Sequence, residues 1–353
     1  MYNFKNIDEY TPLNFERIGT LRGKRWYTNH GNTGLFKPRR FEYGDRKVFC
    51  ANHYGEFMGY VLANALDLEV CPVELAHLTN FYEHYYKFKY NGTPYPRDGA
   101  ISYRVGNNST TITPGKVLIE KYSSQRNEIN LNIKSTKFND QIVVVLDSIA
   151  KATEDFYHEK GYNKNQTQEA IDRNVTNAVK MIVYDCAFGN NDRHDENWSV
   201  VTTKDDIRLY PLYDNERVLG LCENQKNVTQ LINNPALLNR YNIKNLSSRM
   251  YEPNNLSSSY KDVLDYMAKM YPDIVLPLLH KISKTITPNF ISSTLDSMEG
   301  LPKEYVELGR QLYAERYFYI NQLISKTKPY NGKQRKGETL FIPRQDDYTY
   351  EAL

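Results

Sequence analysis

The sequence predicts an α+β fold in two lobes, a sheet-rich N-terminal one and a mainly helical C-terminal one, and three observations carry that reading. Turn signals at Gly31 and Gly34, from Gly92 to Pro96 and from Gly106 to Pro114 cut the first ~120 residues into short apolar stretches, as a small sheet requires. From Asn139 onward the apolar period becomes helical. Ile142, Val145, Leu146, Ile149 and Ala150 share one stripe, and Ile171, Val175, Ala178, Val179 and Ile182 share another. A chain of 353 residues is about two domain lengths, enough for a core in each lobe.

Residues 1–122 are assigned to the N-terminal lobe, 123–326 to the helical lobe, and 327–353 to a polar tail rich in Lys, Gly, Pro and Asp. Within the first lobe, Phe57, Val61, Leu62 and Ala65 predict a helix over Tyr54 to Leu66. The compact run KVLIEK, Lys116 to Lys121, reads as a buried strand closing the lobe. In the second lobe, the polar loop FGNNDRHDEN is followed by WSVVTT, a KDD turn and IRLYPLYD, which predicts a loop and then a hairpin. Further helices are expected over Ser259 to Tyr271, Ile274 to Ile286 and Lys303 to Ser325.

Composition excludes several classes. Apolar residues at 40% and charged residues at 25% are those of an ordinary globular protein. A net charge of +3, with only short basic runs at Lys24, Arg25 and Lys37, Arg39, Arg40, does not call for nucleic acid as a partner. Cys50, Cys71, Cys186 and Cys222 form no C-x-x-C pair, so neither a zinc site nor a disulfide framework is expected. The N-terminus lacks the features of a secretory signal, and no apolar run approaches the ~18 residues of a membrane span. A cytoplasmic protein with no membrane partner is expected, with export by a signal-independent route left open.

The chemistry is concentrated in the loop and hairpin. Phosphoryl transfer needs little covalent help from a protein; it needs a base, metal ligands and a cation for the phosphates. Asp192 and Asn197 stand five residues apart, and Asp214 follows the hairpin, the separation of a catalytic aspartate, a metal-binding asparagine and a metal-binding aspartate in kinases. Both hairpin ends meet at one edge, so Asn197 and Asp214 can offer hard oxygens to Mg²⁺ while Asp192 orients a hydroxyl. An aspartate and an asparagine at that spacing are common on any loop, and alone they decide nothing.

The string GNNDRHDEN, Gly189 to Asn197, with LYPLYD ending at Asp214, resembles the N-x-D-x-H-x-x-N and P-L-Y-D signatures of HipA-like serine/threonine kinases, with a length close to stand-alone, CtkA-like members. The resemblance implies a protein-kinase-like fold binding ATP and Mg²⁺. It places Asp192, Asn190 and Lys37 in the catalytic set and Asn197 and Asp214 on the metal. Lys37, in GLFKP, would grip the ATP phosphates and pair with Glu56; the backbone of Glu120, Lys121 and Tyr122, in LIEKYSS, would form the hinge against adenine. Gly31 and Gly34 are candidates for phosphate contact, although HGNTG is no G-x-G-x-x-G. Leu68 to Leu75 is implied as a strand. The partners implied are ATP and a protein with a serine or threonine acceptor, with an antitoxin left open because the N-terminal subdomain of longer HipA proteins is missing. A lipid or small-molecule kinase, related through a D-R-H-x-x-N loop, and a nucleotide-binding toxin–antitoxin scaffold without turnover are the alternatives.

The neighbouring residues carry plainer readings. His194 has no second His or Cys at ligand spacing and is expected to hold the loop by hydrogen bonds. Arg193 fits a phosphate contact or a loop brace equally. Asp195 and Glu196 read as surface carboxylates, and Trp198 as core.

Overall fold

The N-terminal sheet grows from a tight hairpin. Strands β3 (Arg25–Asn29) and β4 (Asn32–Pro38) are joined by His30 at φ 47° and Gly31 at φ 85°. A two-residue turn with both residues left-handed matches the twist of the strands it joins. The computed structural model describes residues 1–13, 24–39, 49–79, 98–106, 109–123, 138–244 and 259–327. Strand β6 (Asp98–Tyr103) pairs antiparallel with β4, and β5 (Val73–His77) with β6. Two short strands, β1 (Lys5–Asn6) and β2 (Thr11–Pro12), finish a six-stranded sheet of order β1-β5-β6-β4-β3-β2.

Strand alternation sorts this sheet into two faces. Phe36, Ala76 and Ile101 join Ile7, Tyr10, Tyr27 and Leu78 in a small outer cluster. Val73, Leu75 and Ala100 instead join the main core, together with Leu62 and Ala63 of helix α1 (Asn52–Ala65). Because Phe36 points outward, its neighbour Lys37 points towards α1, and this sets the site.

A second sheet belongs to the helical part. Strand β7 (Thr111–Pro114) pairs with β8 (Ser199–Thr202), which pairs with β9 (Ile207–Leu209). The hairpin expected from WSVVTT and IRLYPLYD is therefore present, with a third strand that the sequence did not show. The change of sheet falls between Tyr103 and Thr111.

Lys116 to Lys121 is not a strand. It lies in helix α2 (Gly115–Ser123), where Leu118, Ile119 and Tyr122 are buried while Val117, Glu120 and Lys121 are exposed. A short apolar run cannot by itself separate a buried strand from one face of a helix, and here β7 ends at Pro114 immediately before it.

The long helices follow the predicted stripes. Helix α3 (Phe138–Glu159) buries Ile142, Val145, Leu146 and Ile149, and α4 (Lys164–Phe188) buries Val175, Ala178, Val179 and Ile182. Asn163 and Gln166 form a reciprocal capping box at the start of α4. Gly189 ends it in the left-handed region at φ 76°, which favours glycine. Helices α5 (Gln225–Ile232) and α6 (Pro235–Lys244) were not expected; α7 (Tyr260–Met270) and α8 (Pro272–Thr285) match their predicted spans closely. Helix α9 (Pro288–Asp296), opened by Thr287 and Pro288, was also missed, and α10 (Lys303–Lys326) was expected. Among the described residues no helix is long and apolar enough to cross a membrane. The turn at Gly92 to Pro96 and nearly all of the tail lie outside the described residues.

Candidate active site

The helix that ends at Gly189 delivers a loop whose centre is a buried arginine. Arg193 is fully buried, and its Nε and Nη2 lie 3.0 Å from Oδ2 and Oδ1 of Asp185, on the last turn of α4. Its Nη1 donates to the carbonyl of Asn197 at 2.7 Å and to that of Tyr213 at 2.6 Å. Nη2 also reaches Oδ1 of Asn215 at 2.6 Å. One nitrogen thus holds the backbones of both hairpin ends, which is what brings Asn197 and Asp214 into one place. Burial disfavours the Arg193 charge, but the Asp185 carboxylate overrides it and raises its pKa. On Asp185 burial wins and the carboxyl is pushed up despite Arg193. The brace reading of Arg193 is the one the geometry supports.

The remaining loop residues serve the same frame. Asn190 is buried and donates to Asp185 at 2.9 Å; its Oδ1 is buried and finds no hydrogen-bond partner among the described residues. The Asn197 amide donates to the carbonyl of Asp192 at 2.6 Å, which leaves its Oδ1 as the acceptor end. His194 Nδ1 accepts the Glu196 amide at 3.2 Å, so it ties the loop as expected. Tyr213 shares a 2.8 Å hydrogen bond with Ser199 and donates to the Glu196 carbonyl at 2.9 Å, stitching the hairpin ends together. Trp198 is buried against Gly115, where a Cβ would come within 2.2 Å of its ring. Asp195 is buried rather than on the surface; Glu196 is exposed.

Lys37 meets this frame from the sheet. Its Nζ lies 2.8 Å from Oε1 of Glu56 and 2.8 Å from Oδ1 of Asp214. Burial alone would lower the ammonium's pKa, but Asp214, Glu56 and Glu216 outweigh it and raise it. Lys37 is 4% exposed and Glu56 1%, so this is a buried network, strong at each contact and costly if one member is removed. Asp214 adopts φ 55°, an uncommon backbone for a non-glycine residue, and such strain collects at functional sites.

Helix α1 is seated on the same segment without intervening side chains. A Cβ on Gly55 would fall 2.0 Å from the Glu216 carbonyl oxygen, and one on Gly59 would fall 2.3 Å from Cβ of Asn215. The two glycines, one turn apart, let the helix carrying Glu56 touch the backbone that follows Asp214.

Other predicted positions lie elsewhere. Glu120 and Lys121 are exposed on α2 and Tyr122 is in the core, so their backbone is committed to a helix and not to a hinge. Gly31 sits at the hairpin tip, six residues and about 20 Å along the strand from Lys37. Gly34 faces away from Lys37; a Cβ there would strike Ile101 at 2.6 Å. Both glycines are explained by the sheet itself.

No protein-family model matches the chain, and no curated protein matches it. Among solved structures, the crystal structure of the Helicobacter pylori proinflammatory kinase CtkA superposes with a TM-score of 0.64, covering 92% of this chain and 97% of that one at 16% identity. The chain shares the fold of that kinase. HipA in a Shewanella oneidensis MR-1 toxin–antitoxin complex with HipB and operator DNA is a more distant likeness, with a TM-score of 0.46 and 13% identity over 90% of this chain and 66% of that one.

Within this fold, Asp185, Asn215 and Arg217 are the site residues that sequence reasoning missed. Asp185 sits in the apolar run of α4, where a lone acid at a core position was a readable signal. Arg217 lies three residues beyond Asp214, and its Nε is 3.1 Å from Oδ2 of Asp192. Burial opposes its charge, while Cys222, Asp192 and Glu216 favour it and raise its pKa.

Proposed function

We propose that this chain is an ATP- and Mg²⁺-dependent kinase that phosphorylates serine or threonine hydroxyls of a protein, with Asp192 orienting the acceptor. The observation that carries the reading is the junction at Lys37, whose ammonium bridges Glu56 and Asp214 at 2.8 Å each. It joins the sheet to the hairpin end that Arg193 holds beside Asn197. A cation for phosphate, two hard oxygens and a carboxylate are the parts that phosphoryl transfer requires.

The residues fit a magnesium ion. The carboxylates of Asp214 and Glu56 both lie 2.8 Å from the one ammonium of Lys37, a grouping of negative charge that a divalent cation would offset. Among the described residues no three His, Cys, Asp or Glu side chains form a metal site. That suits Mg²⁺, which takes one or two protein oxygens and completes its shell with water and phosphates. Asn197 and Asp214 would hold it, and when bound it would neutralise charge on the phosphates.

The test is incubation of the purified protein with γ-labelled ATP and a protein acceptor, followed by mapping of the labelled residues. Label on serine or threonine, lost on chelation of Mg²⁺, is the expected result. Calorimetric binding of MgATP with no transfer to any acceptor would instead make the chain a nucleotide-binding scaffold.

A further inference from the structure

The carboxylate of Asp192 is ion-paired with a residue outside the signature motifs. Its backbone carbonyl is held by the Asn197 amide at 2.6 Å and by the His194 N–H at 2.8 Å. Those bonds set the main chain and leave the side chain to turn about its own torsions. Among the described residues the ion-pair partner of that side chain is Arg217, with Nε 3.1 Å from Oδ2, a charge contact that does not meet hydrogen-bond geometry. Arg193, next in sequence, cannot take this part: Nε, Nη1 and Nη2 are all engaged with Asp185, Asn197, Tyr213 and Asn215.

Arg217 is itself well placed to be rigid. It precedes the tight helical turn Val218–Gly220, in which Leu219 adopts φ 55° and all three residues are buried. Its Nη1 approaches Oδ1 of Asn191 at 3.5 Å, and its remaining charged and titratable neighbours are Glu216, Cys222 and Tyr241. The side chain keeps 33% of its surface exposed, as does 27% of Asp192, so the pair borders solvent instead of being sealed in the core.

We propose that Arg217 is a positioning residue that occupies Oδ2 of Asp192 and so presents Oδ1 to the acceptor hydroxyl. The role rests on the kinase reading above. In the step it serves, the acceptor oxygen bonds to the γ-phosphorus as the bond from that phosphorus to the β,γ-bridging oxygen breaks. The hydroxyl proton passes to Oδ1 of Asp192, and ADP leaves with the bridging electron pair. A carboxylate free to rotate would spend much of its time misaligned, and misplacement on the order of 1 Å can cost ~10²-fold in rate.

Arg217→Gln and Arg217→Lys test this in the full chain. The glutamine variant is expected to lose about 10- to 100-fold in kcat, with unchanged KM for ATP and an unchanged calorimetric Kd for MgATP; the lysine variant, still able to hold one oxygen, should recover part of the loss. Wild-type kcat in Arg217→Gln, a loss confined to KM, or a lysine variant no better than glutamine would each overturn the role. A second readout needs no turnover: the ¹³Cγ resonance of Asp192, assigned by its absence in Asp192→Asn, should move in nucleotide-free Arg217→Gln. A signal that stays in place overturns the pairing whatever the activity. Wild-type protein that neither binds MgATP nor transfers phosphate would remove the kinase reading and this role together, whereas an active wild type with an indifferent Arg217→Gln removes this role alone.

Discussion

Two arginine and aspartate pairs stand at the candidate site. Arg193 and Asp185 are 0% and 2% exposed at their side chains and meet through two parallel contacts of 3.0 Å, while Arg217 and Asp192 are 33% and 27% exposed and meet at one 3.1 Å contact. The buried pair also binds two backbone carbonyls and Asn215, so it is part of the architecture. The partly exposed pair holds a carboxylate at the edge of solvent. The same two residue types therefore do opposite work, and the number of backbone groups each arginine holds tells them apart.

Replacing Asp192 with Asn sharpens the contrast most. Phosphate transfer should fall ~10²–10⁴-fold, the usual scale for a positioned general base. The urea midpoint should hardly move, because a solvent-bordering ion pair contributes only about 0–1 kcal/mol. Asp185→Asn should do the reverse. It leaves the Arg193 charge buried without its partner, at a cost of about 3–5 kcal/mol read by denaturant unfolding. Equal effects of the two variants on stability would break the comparison.

Gly189→Ala is a milder probe of the same loop. An alanine forced to φ 76°, with its Cβ 3.4 Å from Nη2 of Arg316, should destabilise by about 1–2 kcal/mol in the same unfolding measurement, through the cap alone. Such a loss would show how much of the loop's placement depends on its entry from α4 rather than on Arg193.

A pH effect separates the frame from the chemistry further still. His53 on α1 is buried among Phe4, Phe49 and Tyr54, and burial, helped by Arg39, lowers its pKa to about 3. The unfolded chain takes up a proton there near pH 6.5 while the folded chain does not. Stability from this group is thus complete above about pH 6.5 and is lost as pH falls towards 3, at up to about 1.4 kcal/mol per pH unit. Urea midpoints in that window should flatten in His53→Phe relative to wild type, and parallel curves would reassign the effect to another group.

Legibility in the sequence followed the physics of each segment. Helices α3 and α4 were readable because their apolar stripes run for several turns, and the hairpin because turn residues bracket two β-rich runs. Asp192, Asn197 and Asp214 could be singled out because their spacing is fixed along the chain. Lys37 and Glu56, 19 residues apart in sequence, were found through the resemblance to the HipA-like family and are joined in space. Helix α2 was misread because six residues of mixed polarity fit either a strand or a helix face. Asp185, a lone acid in the apolar run of α4, was legible but overlooked, whereas Arg217 went unnoticed because its importance lies in which partner it meets, and no local pattern records that. Gly31 and Gly34, singled out for phosphate contact, are also required by a hairpin turn and a crowded sheet, a need that a glycine in a sequence does not distinguish from a ligand cradle.

The seating of α1 on Asn215 and Glu216 has a further consequence. Where Gly55 meets the Glu216 carbonyl and Gly59 meets the Cβ of Asn215, α1 has no side chain of its own to repack, so the helix cannot slide or tilt by small steps. Glu56 and the backbone around Asp214 therefore behave as one casting, which sets the width of the gap into which Lys37 reaches.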